Sequence, residues 1–560
     1  MTRNRRRILL LVGLLTAAMG LLNIALAVLP SPAAGFEDIV PTVARQGSRF
    51  VLLLLGITLI VTARSLIRGK RLGWLVAVAA VGLSAAAHSV KDVDLLGAAA
   101  SGALLATLLL TQPMFRARSD PPTAARGLVV FLLGLGAAVL YGTLGLYFLD
   151  QEFRQPIPLA TAFKDSLRLV FILPSASVQP ITSHGSWLID SVRVFFLAVL
   201  LFSLSRLLNP VIHRVTVGRT EHERVRHILE KYGRSSISFF ALLPDKSYYF
   251  SASGDAVLAY KVMGSTAVVM GDPIGDPAEF PEMIGAFLEQ CDLDDWAPCF
   301  HQATPDYLEM YRSLGLKALK IGEEAVIDLE HFDLEGKDAK HLRNVLNRFT
   351  KEGFQARLLQ PPFSDAVLRE LREVSDEWLA QPGRRERTFT VGRFEDSYVR
   401  HSPVMAVYDP TGSVVGFANI IPSYRLPEGN FDLMRYRRDA PRNTVDFLFL
   451  SLASHFKEAG HSGMNLGLAP FSGLGGDGAM PVVQQAMKLL YEYGSYLFRY
   501  RGLREFKAKF HPRWEPRYLI YRSDWQLPGL ALAVARAGEL RHGLRLPRQA
   551  AVTEVHPVPG

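Results

Sequence analysis

The sequence predicts a multi-span α-helical membrane domain followed by an α+β cytoplasmic domain. Three observations carry this. Apolar runs of spanning length crowd the first 210 of 560 residues. Basic residues collect in alternate loops between those runs. The remaining 350 residues alternate short strand-like and helical patterns, and do so twice over.

A helix needs about 20 apolar residues to cross a bilayer. Such runs are read at 8–29, 49–67, 72–90, 94–112, 127–149 and 187–208. The first is longer than a signal-peptide core and more runs follow it, so an uncleaved anchor is expected. Arg3, Arg5, Arg6 and Arg7 precede the first run; Arg64, Arg68, Lys70 and Arg71 separate the second and third. Arg116, Arg118 and Arg126 separate the fourth and fifth, and Arg206, Arg214, Arg219, Arg224 and Arg226 follow the sixth. The positive-inside rule puts these loops, and everything after the sixth run, in the cytoplasm. The segment 150–186 is too polar to span; Lys164, Asp165 and Arg168 give it amphipathic spacing, for a helix at the interface or one re-entering the membrane. Asp190 and Arg193 are placed to pair on one face of the last span.

Charge follows the same division. The chain carries a net +9; residues 1–210 hold 19 basic and 9 acidic residues, whereas the rest hold 43 and 44. The basic excess thus belongs to the membrane half, and any nucleic-acid contact in the second half must come from local patches. The two cysteines, Cys291 and Cys299, read as small core residues of a reducing compartment. No cluster has metal-ligand spacing, and no cofactor is implied.

After a helix at 219–234, strands are expected at 237–243, 248–252, 256–262 and 266–271, a helix at 278–291, a strand at 296–300 and a helix at 305–314. Two strands, 316–321 and 325–329, a helix at 337–352, a strand at 354–359 and a helix at 364–380 close this part. The second part reads as strands 403–409, 413–421 and 430–435, helix 443–459, strand 463–467, helix 480–494 and strand 516–522. The expected organisation is a membrane domain over 1–210, subdomains over 211–380 and 381–545, and a tail over 546–560, with the break in the Pro/Gly/Arg-rich stretch 381–387.

Five stretches carry a resemblance: Gly271-Asp-Pro-Ile-Gly-Asp276, Phe431-Asp-Leu-Met-Arg-Tyr436, Asp439 through Leu448, Asn465-Leu-Gly-Leu-Ala-Pro470, and Gly502 through Tyr518. In this order they resemble the synthase domain of the phosphatidylglycerol lysyltransferases, the multiple peptide resistance factor family, over about residues 220–530. The resemblance implies tandem acyltransferase-like (GNAT) folds. It also implies transfer of an amino acid from aminoacyl-tRNA to phosphatidylglycerol, lysine by default and alanine as the alternative. The implied partners are aminoacyl-tRNA, phosphatidylglycerol and the lipid bilayer; a homo-oligomer is compatible. Long members carry further N-terminal helices that translocate the product, so translocation is in doubt for six spans.

Transesterification from an activated ester requires positioning, proton removal and oxyanion stabilisation, but neither ATP nor metal. Asp432 and Arg435 are the first catalytic candidates, being costly to bury in an apolar run without partners. Three apart on a strand, they need a local bend to reach one site. Asp446, at a helix start, is a further candidate beside its bland role as a first-turn acid. Lys507 is the fourth. Arg504, Lys509 and Arg517, interleaved with Phe506, Phe510, Trp514 and Tyr518, suit phosphate and base stacking; a solvated basic helix and an edge strand are the alternative. Glu515 is a candidate for the substrate ammonium. Ser472, Gly473 and Gly475 lie in a Gly-rich loop suited to a lipid phosphate or to a plain linker. Pro470 stands where a coenzyme A loop wants Gln or Arg. Glu386 and Arg387 are candidate tRNA or substrate contacts. Three other readings stay open: a coenzyme A-type or peptidoglycan-bridge acyltransferase, a diacylglycerol acceptor, and a non-catalytic lipid transporter or binding module.

Overall fold

The computed structural model describes residues 3–28, 42–90, 95–118, 121–171, 175, 177–207, 218–473 and 497–539. The chain forms two compact units, one of residues 1–212 with 289–296 and one of 213–288 with 297–560. The expected helix at 480–494, Gly475 and the tail at 546–560 lie outside the described residues.

The first unit contains α1 (Arg3–Val28), α2 (Thr42–Ile67), α3 (Arg71–Val90), α4 (Leu95–Leu110), α5 (Pro121–Phe148), α6 (Leu159–Val170) and α7 (Ser183–Leu207). Four stretches are long and apolar enough to cross a membrane: Arg7–Ala27, Arg71–His88, Gly127–Phe148 and Ser183–Arg206. Val51–Ile67 and Leu96–Leu110 are shorter apolar helices. The second of these lies in α4, whose sixteen residues rise about 24 Å, less than a hydrocarbon core. The amphipathic segment forms α6, which folds back along α5: Ser166 Oγ donates to the Val139 carbonyl at 2.8 Å. Gly142 permits this approach, since a Cβ there would lie 2.3 Å from that hydroxyl. Asp190 and Arg193 pair at 3.4 Å.

The second unit opens with α8 (Arg219–Tyr232). Its first repeat is β1 (Ser247–Phe250), β2 (Val257–Met263), β3 (Thr266–Met270), α9 (Phe280–Asp294), β4 (Ala297–Ala303), α10 (Leu308–Ser313) and β5 (Lys317–Asp328). After α11 (Lys340–Lys351), the second repeat is β6 (Gln355–Leu359), α12 (Asp365–Leu379), α13 (Asp396–Val399), β7 (Val404–Tyr408), β8 (Val414–Ile421), β9 (Glu428–Tyr436), α14 (Thr444–Glu458) and β10 (Gly463–Pro470). The described chain closes with α15 (Leu497–Ala508), β11 (Arg513–Tyr521) and α16 (Leu527–Ala537).

Both repeats have one plan. An antiparallel meander ends in a strand whose helix crosses to a parallel neighbour: β3 to β4 through α9, and β9 to β10 through α14. These are the tandem acyltransferase-like folds, joined in one 11-stranded sheet ordered β1-β2-β3-β4-β11-β5-β10-β9-β8-β7-β6. β6 and α12 precede residue 381 yet pack with the second repeat, β6 pairing with β7; β11 and α16, both later, lie on the first repeat's side, with β11 between β4 and β5.

Three local expectations are corrected. Residues 237–243, expected as a strand, form a 3₁₀ turn over Ser238–Leu242, because the Ser238 hydroxyl accepts from the Ser235 N–H and offers the backbone a turn. The strands expected at 316–321 and 325–329 are one, β5. Its Gly322 is no break; β10 passes so close that a Cβ there would lie 2.5 Å from the Ala469 carbonyl. The third concerns the alternative reading of the basic run, which included an edge strand: β11 is central in the sheet. The core around α14 is built on Phe349, Phe447, Phe449, Phe456 and Phe510, which fasten α11, α14 and the end of α15 to the sheet.

Candidate functional site

The parallel strands β9 and β10 pair only at Gly463↔Glu428 and Met464↔Gly429, so their carboxyl-terminal parts separate. Each then carries a bulge. Between Phe431 and Met434, two β9 residues oppose the single Asn419 of β8. The surplus N–H, that of Leu433, is satisfied by Asn419 Oδ1 at 2.7 Å. The bulge shifts the side-chain alternation by one, which is the bend that Asp432 and Arg435 needed to serve one region.

Asp432 Oδ2 accepts from the Tyr398 hydroxyl (2.7 Å) and the Gly392 N–H (2.9 Å). Burial pushes its carboxyl up to about 6, against the lowering effect of those bonds and of Arg435. Arg435, 5% exposed, donates to Glu386 Oε2 at 2.8 Å and lies 4.0 Å over the Trp378 ring. Glu386 Oε1 also accepts from the Phe394 N–H, so the candidates Asp432, Arg435 and Glu386 form one group. Arg387 is adjacent in sequence, and its backbone bridges to Glu539.

The β10 bulge lies between Asn465 and Leu468, opposite β5. Gly467 takes φ +78° there, a conformation that favours glycine. Its N–H donates to Asn465 Oδ1, and Asn465 Nδ2 donates to Glu428. The turned backbone presents two carbonyls to Lys507, whose Nζ donates to Gly467 O at 2.8 Å and Leu468 O at 3.0 Å. Lys507 is buried, and burial lowers its ammonium to about 7, with the charge of Glu324 working the other way. An amine at that value exchanges a proton near neutrality.

Beside it, Glu324 of β5 faces Glu515 of β11 directly in register, a repulsive pairing by itself. Arg517 resolves it by donating to Glu324 and, at 3.1 Å, to Glu515. Burial opposes the Arg517 charge, but the two carboxylates outweigh it and raise the guanidinium further. Glu515 also accepts from Arg513 at 2.8 Å; burial pushes its carboxyl up, and the two arginines hold it below its ordinary range. Its side chain keeps 30% exposure, so it can meet a ligand. Arg504 and Ser472 converge on Glu323, at 3.5 and 3.1 Å. The Gly473 carbonyl accepts from Lys320 Nζ at 3.1 Å, and a Cβ on Gly473 would collide with Glu323.

Two candidates stand apart. Asp446, buried in the first turn of α14, accepts from Asn443 (2.9 Å) and pairs with Lys509 (3.2 Å). Lys509 thus neutralises a buried carboxylate. Composition and spacing missed Glu324 on β5, Tyr398 on α13, Trp378 on α12 and Glu428 on β9; none stands out from its local sequence.

The family described as phosphatidylglycerol lysyltransferase, C-terminal, matches residues 226–521, more than half of the chain. The chain belongs to that family. It is 35% identical over 318 residues to the phosphatidylglycerol lysyltransferase of Bacillus subtilis, covering 57% of this chain and 37% of that one. It is 30% identical over 348 residues to that of Staphylococcus aureus strain MRSA252, covering 62% and 41%. The matched part is thus well under half of those relatives' length. Among solved structures, L-PGS from Bacillus licheniformis superposes with a TM-score of 0.52 at 36% identity, covering 56% of this chain and 95% of that one. The C-terminal domain of an Agrobacterium fabrum protein named for lysylphosphatidylglycerol synthetase gives 0.51 at 33%, covering 57% and 96%.

Proposed function

We propose that this chain transfers an amino acid from aminoacyl-tRNA to the glycerol hydroxyl of phosphatidylglycerol. The observation that carries the reading is that the family match, 226–521, encloses both charged groups along β9, β10 and β11. The lipid hydroxyl attacks the aminoacyl ester carbonyl, and the tRNA ribose oxygen leaves with a proton. Lys507 suits the proton transfer: as a neutral amine it keeps two N–H bonds to the β10 carbonyls and a lone pair for the hydroxyl proton, which it then returns to the ribose. Glu515 binds the substrate ammonium, and Arg435 and Asp432 orient the reacting ester. Arg504, Lys509, Ser472, Gly473 and the segment near Glu386 and Arg387 flank the nucleic-acid and lipid approaches. The amino acid is lysine by family, with alanine the alternative.

The reading places the protein in a bacterial inner membrane with the transferase unit in the cytoplasm, where charged tRNA is available. There it lowers the net negative charge of the membrane and with it sensitivity to cationic antimicrobials. Membranes containing the chain should move a labelled amino acid onto phosphatidylglycerol, and ribonuclease should abolish the transfer. Ribonuclease-resistant transfer supported by an acyl-coenzyme A would overturn the donor; product on diacylglycerol would overturn the acceptor. A reporter active only outside the inner membrane, fused after Gly560, should stay silent.

A further inference from the structure

The loop between α12 and α13 carries chemistry at both ends of a tight anchorage. Its Glu386 holds Arg435, and its Gly392 N–H holds Asp432. Between them, Thr388 Oγ1 donates to Asp245 Oδ2, across the sheet's first repeat, and the Thr388 N–H donates to Gly538 O beyond α16 at 3.2 Å. Asp245 is itself fixed by two ammonium groups: Lys246, fully buried, and Lys261, which donates to it at 3.1 Å and to Ala537 O at 3.0 Å. The next residue, Phe389, is 2% exposed and has φ +82°. A bulky side chain in that conformation persists only where its surroundings over-determine it, and such residues gather at functional sites. Here the surroundings are the apolar cluster of Phe239, Phe240 and Ile421, with the Lys246 ammonium 5.0 Å over the ring.

We infer that residues 386–392 form a fixed strap whose setting is imposed by Asp245 through Thr388, and that Asp245 and Thr388 are positioning residues for Asp432 and Arg435. The inference rests on the transferase reading of that site. An ion cluster built around the fully buried Lys246, with Asp245 and Lys261 half-buried, would be a poor choice for stability alone, since desolvation opposes it. What it supplies is a rigid acceptor at a single place. The first repeat, α16 and the strap meet there, so the first repeat sets the geometry of the second repeat's site.

The test uses the full chain in membranes, with Thr388→Val, which removes the hydroxyl at constant shape, and Thr388→Ser, which keeps it. Thr388→Val should lower kcat about ten-fold with KM for aminoacyl-tRNA unchanged, as expected for loss of orientation rather than of binding. Thr388→Ser should stay within about two-fold of the parent. The acid limb of the rate profile should also move. Asp432 is faced by the Tyr398 hydroxyl, the Gly392 N–H, Arg435 and Glu386. Loosening the strap weakens the direct Gly392 bond, which favours the carboxylate. It also withdraws the Glu386 charge, a smaller opposing effect already countered by Arg435. The limb should therefore shift to higher pH in Thr388→Val only. Amide exchange over 385–394 should accelerate in the same variant. Unchanged exchange together with an unchanged limb in Thr388→Val would overturn the inference, as would equal loss in Thr388→Ser. If the parent chain transfers no amino acid to lipid, the transferase reading fails by itself, and the exchange arm still decides whether Thr388 holds the strap.

Discussion

The two repeats share a plan and differ at the same point in it. In the first, β3 and β4 stay paired over Thr266–Met270 with Ala297–His301, and the Gly271 N–H continues the ladder to His301 O. Asp272 then closes the opening: its carboxylate accepts from the Thr304 N–H and hydroxyl and from the Tyr311 hydroxyl, at 2.8 to 2.9 Å. In the second repeat the equivalent strands, β9 and β10, part after two pairs. Bulges recur at corresponding places, Gln302 on β4 (φ +69°) and Gly467 on β10 (φ +78°). Only the second presents its carbonyls to a buried amine. One crevice is closed by Asp272, and the other is bordered by the buried Lys507 amine. A duplicated fold can thus come to differ through a few polar residues at one strand end.

If the open crevice is the reacting one, Lys507→Met should produce the largest loss, lowering turnover by about 10³-fold at normal expression and membrane insertion. The same variant tests the titration. In the fold Lys507 sits near 7, below its ordinary 10.5, so between these values the unfolded chain holds the proton and the folded chain does not. Its contribution to stability therefore rises from about pH 7 toward 10.5. Thermal unfolding at pH 7 and 9 should show that alkaline gain in the parent and not in Lys507→Met.

Asp432→Asn comes next, with turnover down about 100-fold. The parent's activity should fall as pH drops through about 6, where Asp432 protonates, and the variant's profile should lack that limb. Retention of full turnover in Asp432→Asn would remove this group from the reaction.

The closed crevice should respond in the opposite way. Asp272→Ala leaves a buried N–H and two hydroxyls without their acceptor, at a cost of about 2 kcal/mol in unfolding free energy, with turnover per folded molecule within two-fold. Burial holds Asp272 up, near 6, so its contribution is fullest at low pH and declines as pH rises through that value. A large fall in turnover without loss of stability would show that the first crevice is not merely closed.

The smallest effects compare the bulges. Gly467→Ala meets no steric obstacle, since Lys507 Nζ lies 4.0 Å from the would-be Cβ. It should cost only the left-handed strain, about 1 kcal/mol by denaturant titration, whereas Gln302→Gly should be neutral or gain up to about 1 kcal/mol.

The sequence by itself determined the order of elements and the membrane half. Apolar runs of spanning length are local facts, and so are the strand and helix periods that placed most of β1–β11 within a few residues. It also singled out Asp432 and Arg435, because charge in an apolar stretch is visible without coordinates, and Lys507, as part of a dense basic run. What it could not carry was who meets whom. Arg517 faces Glu324, 193 residues away, and Lys507 meets carbonyls 39 and 40 residues away. Lys509, read as a nucleic-acid contact, is engaged by Asp446. The insertion of β11 between β4 and β5, and the one-residue bulge that turns Asp432 and Arg435 to one region, are decisions of register. Register is set by long-range backbone pairing, and a shift of one residue changes which face every side chain meets while leaving the local pattern almost unaltered.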